Sequence, residues 1–445
     1  MLGSEGMKQI AQRVLAQCAA NQTEVVLLSG ETELTRFANS RIHQNVAERN
    51  TEVRVRAVSG KKVGVASIND LSDAALQRVT ENALQMALLQ PENPEFRSLP
   101  APKPVRKVDA FVQATADFTP EQRAQAVATI CKLSKEHGLI ASGAFTTSSS
   151  EMAVANSLGV FAYTPATLSD LSAVIMSNDS SGYAAMTSPD VREINAEQVG
   201  REATSKAVRS RNPQPVEPGE YTVILEEYAV AEMLMYLAFL GFGALAVQEG
   251  RSFMANKFGQ QIAGENVSIW DDGLDRAGLP IPFDFEGMPK QRVELITNGV
   301  AKAVVYDSYT ANKEGKESTG HALPAPNSYG PLPGNLFMSP GKDSKELMLA
   351  AVERGLWVTR FHYVNPVHTL KTILTGMTRD GTFWIENGEI KQATKNLRFT
   401  QSVLEALSTV ERISRETKLR GGLYGGIRAP ALCIRRFAFT GVTEF

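Results

Sequence analysis

The amino-terminal stretch MLGSEGMKQIAQRVLAQ reads as an amphipathic helix. The run Glu24 to Leu28 behind it has the length and β-branched character of a buried strand. Residues 51–58 alternate polar and apolar, Ser59-Gly60-Lys61-Lys62 turns the chain, and residues 63–67 return, which predicts a hairpin with one wet face. Asp70-Leu71-Ser72-Asp73 supplies an N-cap ahead of apolar residues at helical spacing from Ala74 to Val79. The proline-rich segment 99–104 can form neither helix nor central strand and reads as an extended surface linker. Beyond it the pattern predicts a helix over 120–137, strands near 141–147 and 160–163, and a helix near 196–210.

Residues 211–219 carry three prolines and a closing glycine, the expected boundary between two domains, 1–212 and 219–445. The second is richer in strands. Residues 221–225 form one, 292–296 and 301–306 face each other across Asn298-Gly299, and 382–386 and 389–391 do so across Asn387-Gly388. The helix expected from Tyr228 onward has little polar face to give to solvent, so the sheet should wrap it. Its apolar run, 233–247, is broken by Gly241 and Gly243 and is shorter than the roughly 20 residues of a membrane span. No repeat of fixed period is visible. The pattern as a whole predicts an α+β fold, an N-terminal mixed α/β domain followed by a mainly antiparallel β domain wrapped around a buried apolar helix.

A chain of 445 residues is too long for one ordinary core, in keeping with two domains. With 43% hydrophobic and 21% charged residues it should be ordered throughout. A net charge of -2 offers no field for nucleic acid or an anionic membrane, so neither is an expected direct partner. Cys18, Cys131 and Cys433 are too few and too scattered for a disulfide framework or a zinc knuckle, and the amino terminus lacks a secretion pattern. The expected location is the cytoplasm.

Metal catalysis commonly sets two histidines on one helix face, as in His-Glu-x-x-His, and no such pair occurs. His362 and His368 are separated by Pro366 and read as loop residues. His321, in the polar loop Glu317-Ser318-Thr319-Gly320-His321, is the more interesting candidate, because binding groups concentrate on such loops. There is no Gly-x-Ser-x-Gly elbow. The loop from Gly421 to Gly426 reads as a flexible connection, Glu226 and Glu227 as a solvated pair, and Cys433 as an inert core residue.

Residues 34–45, LTRFANSRIHQN, together with Ser318-Thr319-Gly320-His321-Ala322-Leu323-Pro324, Gly259-Gln260-Gln261, residues 384–390 and residues 439–445, resemble the TldD/PmbA family, long labelled modulators of DNA gyrase. The resemblance spans nearly the whole chain. In TldD-like members a His-Glu-x-x-x-His helix carries two zinc ligands and a general base, and a later cysteine is the third ligand. Here an ungapped reading places Met235, Tyr236 and Leu240 in that degenerate zinc-helix region, and no histidine lies between His137 and His321. Such side chains neither hold zinc nor activate water. The departure resembles the TldE/PmbA-like branch. It implies a non-catalytic subunit, without a cofactor of its own, that forms a heterodimer with a zinc-bearing TldD-like partner and acts on peptides or unfolded segments. Position in the family-like segments makes Asn39, His43 and His321 the candidate substrate-binding residues. Two alternatives stay open: a homodimeric peptide-binding protein without protease activity, and an independent hydrolase built around His321 and a nearby carboxylate.

Overall fold

The structure, a computed structural model, describes residues 1–422 and 425–443. Its first helix, α1 (Gly3–Gln17), buries Met7, Ile10, Ala11 and Val14, the single apolar stripe of an amphipathic helix. The backbone amides of Leu2 and Gly3, at its start, donate to the Glu151 carboxylate, an anion at the positive end of the helix. Strands β1 (Gln22–Ala38), β2 (Arg41–Ser59) and β3 (Lys62–Ile68) follow, then α2 (Asp73–Leu89), whose N-cap is Ser72. After the irregular proline-rich segment and a single turn, α3 (Gln113–Ala116), comes α4 (Pro120–Glu136), which starts in a capping box of Thr119 and Gln122. Strands β4 (Ile140–Asn156), β5 (Phe161–Met176) and β6 (Ser181–Ser188) lead to α5 (Ala196–Arg209).

These strands make one antiparallel sheet in the order β3-β2-β1-β4-β5-β6. The arrangement is a duplicated topology: helix, three strands and helix occur twice, joined where β1 pairs with β4. Gly64 on β3 and Gly182 on β6 hold corresponding places. A Cβ at either would lie 2.2 Å from a backbone atom of the helix above, α2 or α5. The four longer helices cover one face, where Val25, Leu27 and Phe37 point, while Val26 on the opposite face packs with Phe283 of the second half.

The strands of the second half are β7 (Gly219–Leu225), β8 (Ile269–Asp271), β9 (Val293–Thr297), β10 (Val300–Ala301) and β11 (Asn335–Met338). They continue with β12 (Arg354–His368), β13 (Ile373–Glu386), β14 (Glu389–Ala393), β15 (Leu397–Ser402), β16 (Val410–Gly421) and β17 (Gly426–Val442). Pairings β7-β12-β13-β15-β17 and back to β7 close a ring, so these strands have few open edges. All contacts in the ring except β7 with β12 are antiparallel. The apolar helix α6 (Glu227–Gly241) packs on β12 and β17 in one core with Val223, Leu356, Phe399 and Leu432. The expected α+β fold with a wrapped apolar helix is therefore present.

Asn387 and Gly388 take positive φ in a tight turn between β13 and β14, as do Asn298 and Gly299 between β9 and β10. The second of these hairpins is shorter than expected. Beyond Lys302 the chain leaves β9, because Val305 pairs instead with the Phe242–Gly243 backbone at the end of α6. Strands β4 and β5 run well beyond their expected limits, and His362 and His368 lie on β12 and not in a loop.

Candidate functional site

The two carboxylates that open α6 are not a solvated pair. Glu226 and Glu227 are 2% and 0% exposed. Glu226 accepts from Lys206 Nζ and from Trp357 Nε1, both at 2.6 Å, and Glu227 accepts from Lys345 Nζ at 2.8 Å. Two anions at a helix N-terminus, each with a buried or half-buried cation, satisfy both the dipole and the desolvation cost. Next to them Lys418 Nζ bridges Glu202 and the Tyr228 hydroxyl, tying α5 to α6 and β16. Burial alone would raise the Glu202 carboxyl, but Lys206 and Lys418 outweigh it and hold the group at about 2.

Further along α6, Met235, Tyr236 and Phe239 line a mostly apolar cavity of about 320 Å³, bounded on the other side by Leu332, Leu336, Gly425 and Ile427. Gly425 belongs there for a steric reason: a Cβ on it would lie 1.6 Å from the Gly334 carbonyl. The glycine-rich loop is thus seated against residue 334 at its described end, while Leu423 and Tyr424, which shared the reading as a flexible connection, lie outside the described residues.

The donor set on α6 does not fit zinc. Met235 offers a thioether, the Tyr236 hydroxyl donates to the Val364 carbonyl, and Leu240 is in the core. Cys433 is buried, with its thiol pushed up to about 12 by burial.

His321 is turned inward and is 1% exposed. Its Nε2 lies 2.7 Å from Asp271 Oδ1 and its Nδ1 3.0 Å from Thr319 Oγ1. Burial and the charge of Lys290 lower the imidazole, so at neutral pH it is uncharged, donating from Nε2 and accepting at Nδ1. Burial would raise Asp271, but His321 and the backbone amide of Asn335 prevail and keep it below the usual carboxylate range. Its second oxygen accepts from the Gly334 and Asn335 amides, each at 2.7 Å. The hydroxyl, imidazole and carboxylate are in line as in a hydrolytic triad, yet the neighbouring amides of Thr319, Gly320, His321 and Ala322 are all engaged within the protein. No oxyanion hole is left among them. The arrangement fastens the 331–335 segment, which walls the apolar cavity, to β8.

Asn39 and His43 lie elsewhere, on the β1–β2 hairpin. Asn39 and Ser40 form the positive-φ turn between β1 and β2, and His43 lies exposed on β2. Over residues 41–50 β2 is exposed and pairs only with β1, because β3 begins its pairing at Val53. That leaves an open strand edge. Between the first sheet and the second half lies a cavity of about 730 Å³ with a mixed lining, touched by Arg56, Glu286 and Asp307. Behind it Arg56 pairs with Glu24 at 2.5 Å and Glu286 at 3.2 Å. Burial, resisted by Arg56, pushes the Glu24 carboxyl up to about 7, and burial and Glu286 together raise Asp284 and Asp307.

Asp271 and Glu232 did not emerge from the sequence as site residues. Glu232 was visible as the one carboxylate inside the apolar run after Ala229, whereas nothing local marks Asp271 as the partner of a histidine fifty positions away.

An antiparallel sheet with duplicated topology, joined to a closed strand ring around an apolar helix, defines a two-part α+β protein. Three successive segments match the PmbA/TldA metallopeptidase domain 1 (residues 23–87), central domain (113–211) and C-terminal domain (218–441), and the chain belongs to this PmbA/TldD family. Metalloprotease PmbA of Escherichia coli O157:H7 is 24% identical over 383 residues, 82% of this chain and 80% of that protein. An uncharacterized protein of Methanocaldococcus jannaschii is 28% identical over 272 residues, 61% of this chain. A metalloprotease of Methanothermobacter thermautotrophicus is 28% identical over 235 residues, 52% of this chain. The chain spans 63% of the former and 50% of the latter. The fold is that of TldE from Thermococcus kodakarensis, with a TM-score of 0.89 at 21% identity over 98% of this chain and 100% of that one. A Thermotoga maritima protein carrying the label of a DNA gyrase modulator has a TM-score of 0.88 at 20% identity, over 98% of this chain and 100% of its own.

Proposed function

We propose that the chain is the non-catalytic, TldE/PmbA-like subunit of a TldD/TldE-type metalloprotease, acting on peptides or unfolded segments together with a zinc-bearing TldD-like partner. The observation that carries this reading is the chemistry of α6. Met235, Tyr236 and Leu240 supply neither imidazole nor carboxylate, and the helix is fixed by buried ion pairs and core packing that do not call for a metal. The open edge of β2 supports the substrate class, since an extended peptide can add to such an edge through its main chain with little regard to sequence. Mixing the chain with a TldD-like protein from the same source should give a stable complex by size-exclusion chromatography, and peptide cleavage should appear only with it. Cleavage by this chain alone at the mixture's rate would overturn the reading.

A further inference from the structure

Along α6, Glu232, Met235, Tyr236 and Phe239 fall at i, i+3, i+4 and i+7, so they form one stripe with neighbouring Cβ atoms about 5–6 Å apart. Apart from Ala238, they are the positions from Glu232 to Gly241 that the core leaves partly uncovered. Three of them line the 320 Å³ apolar cavity, and Glu232 stands one turn earlier on the same face of the helix. The Glu232 carboxylate makes no hydrogen bond or ion pair with any described residue. Arg360 acts on it from a distance, but that guanidinium is bonded to Asp380 and lies over the Tyr183 ring. Burial pushes the Glu232 carboxyl up to about 7, which reflects what an unpaired charge costs there. A cation from outside would relieve that cost.

We propose that this stripe is a recognition subsite for a peptide segment in which an apolar side chain stands beside an ammonium group. The apolar side chain enters the cavity, and the ammonium pairs with Glu232. The proposal rests on the peptide-acting reading above and adds which sequences are preferred. A lysine side chain and a free amino terminus present the same chemistry.

The test uses the full chain and fluorescence anisotropy with carboxy-terminally labelled peptides. These carry leucine beside either lysine or norleucine, each with a free or an acetylated amino terminus. Peptides with the ammonium should bind about tenfold or more tighter, as expected of a charge-assisted hydrogen bond. Glu232→Gln should erase that preference and leave the neutral peptide's affinity unchanged. Met235→Trp, which fills the cavity, should weaken all of them. A preference lost with norleucine assigns the side chain, and one lost on acetylation assigns the terminus. Equal binding of charged and neutral peptides, or equal weakening of both by Glu232→Gln, overturns the subsite and leaves the peptide reading standing. Failure of every peptide to bind overturns both.

Discussion

Asp271 stays ionised in a wholly buried position because His321, Gly334 and Asn335 all donate to it. Removing the imidazole takes away a hydrogen bond to a charged group, worth about 1.5–3 kcal/mol, and leaves the carboxylate partly unpaired. His321→Ala should therefore lower stability by about that amount in urea denaturation, and a change under about 0.5 kcal/mol would argue against the clamp. A second expectation concerns pH. Glu24 titrates at about 7 in the fold against an ordinary 4.5, so its contribution is complete below the lower value and lost as pH rises through the upper one. Glu232, Asp284 and Asp307 shift in the same direction. Glu202 is opposite, its contribution present above 4.5 and lost as pH falls through about 2, and so are His321 and His362, whose lowered imidazoles favour the fold as pH rises through 6.5 and offset part of the carboxylate effect. Scanning calorimetry should accordingly find Tm higher near pH 5.5 than at pH 8, and Glu24→Gln should flatten part of that slope; a steady fall in Tm on acidification over this range would contradict it. Single residues were legible in the sequence where their chemistry is local, as with the Ser72 cap and the buried Cys433. Glu226 and Glu227 were not, because the cations that make their burial tolerable come from residues 206 and 345.

Among the elements, α6 is the one on which the second half depends. Leu234 and Leu237 are fully buried on it, facing the strand ring, and Leu237→Ala should cost about 2–5 kcal/mol by leaving a cavity. A loss well under that in chemical denaturation would mean that the ring does not close tightly on the helix. The helix was readable from its near-continuous apolar character, and the two Asn-Gly hairpins from turn chemistry that needs only two residues. The reach of β1 and β2 was not. Residues 41–50 are exposed, so they carry no alternation of buried and wet positions from which a strand could be inferred. Ser- and Thr-rich β4 and β5 blurred the pattern in the same way. Sequence grouped Asn39, His43 and His321 by their family-like segments, and it could not separate the first two, near a hairpin turn, from His321, whose burial depends on packing between distant segments.

For the whole molecule, the pairing of β1 with β4 and the return of β17 to β7 join segments more than a hundred residues apart, and such pairings leave no mark in local periodicity. The duplicated helix-strand-helix topology was hidden for the same reason, since it is carried by order and pairing and not by repeated residues. Family-like segments reached further than the physical pattern did, because they pointed to the family and the fold. On the proposed reading, this chain completes a protease without supplying its metal. The most direct measurement is the zinc content of the purified chain, alone and mixed with a TldD-like protein from the same source, with peptide cleavage followed in parallel. Zinc at one per complex and cleavage only in the mixture are the predicted result; stoichiometric zinc and cleavage by the chain alone would contradict it.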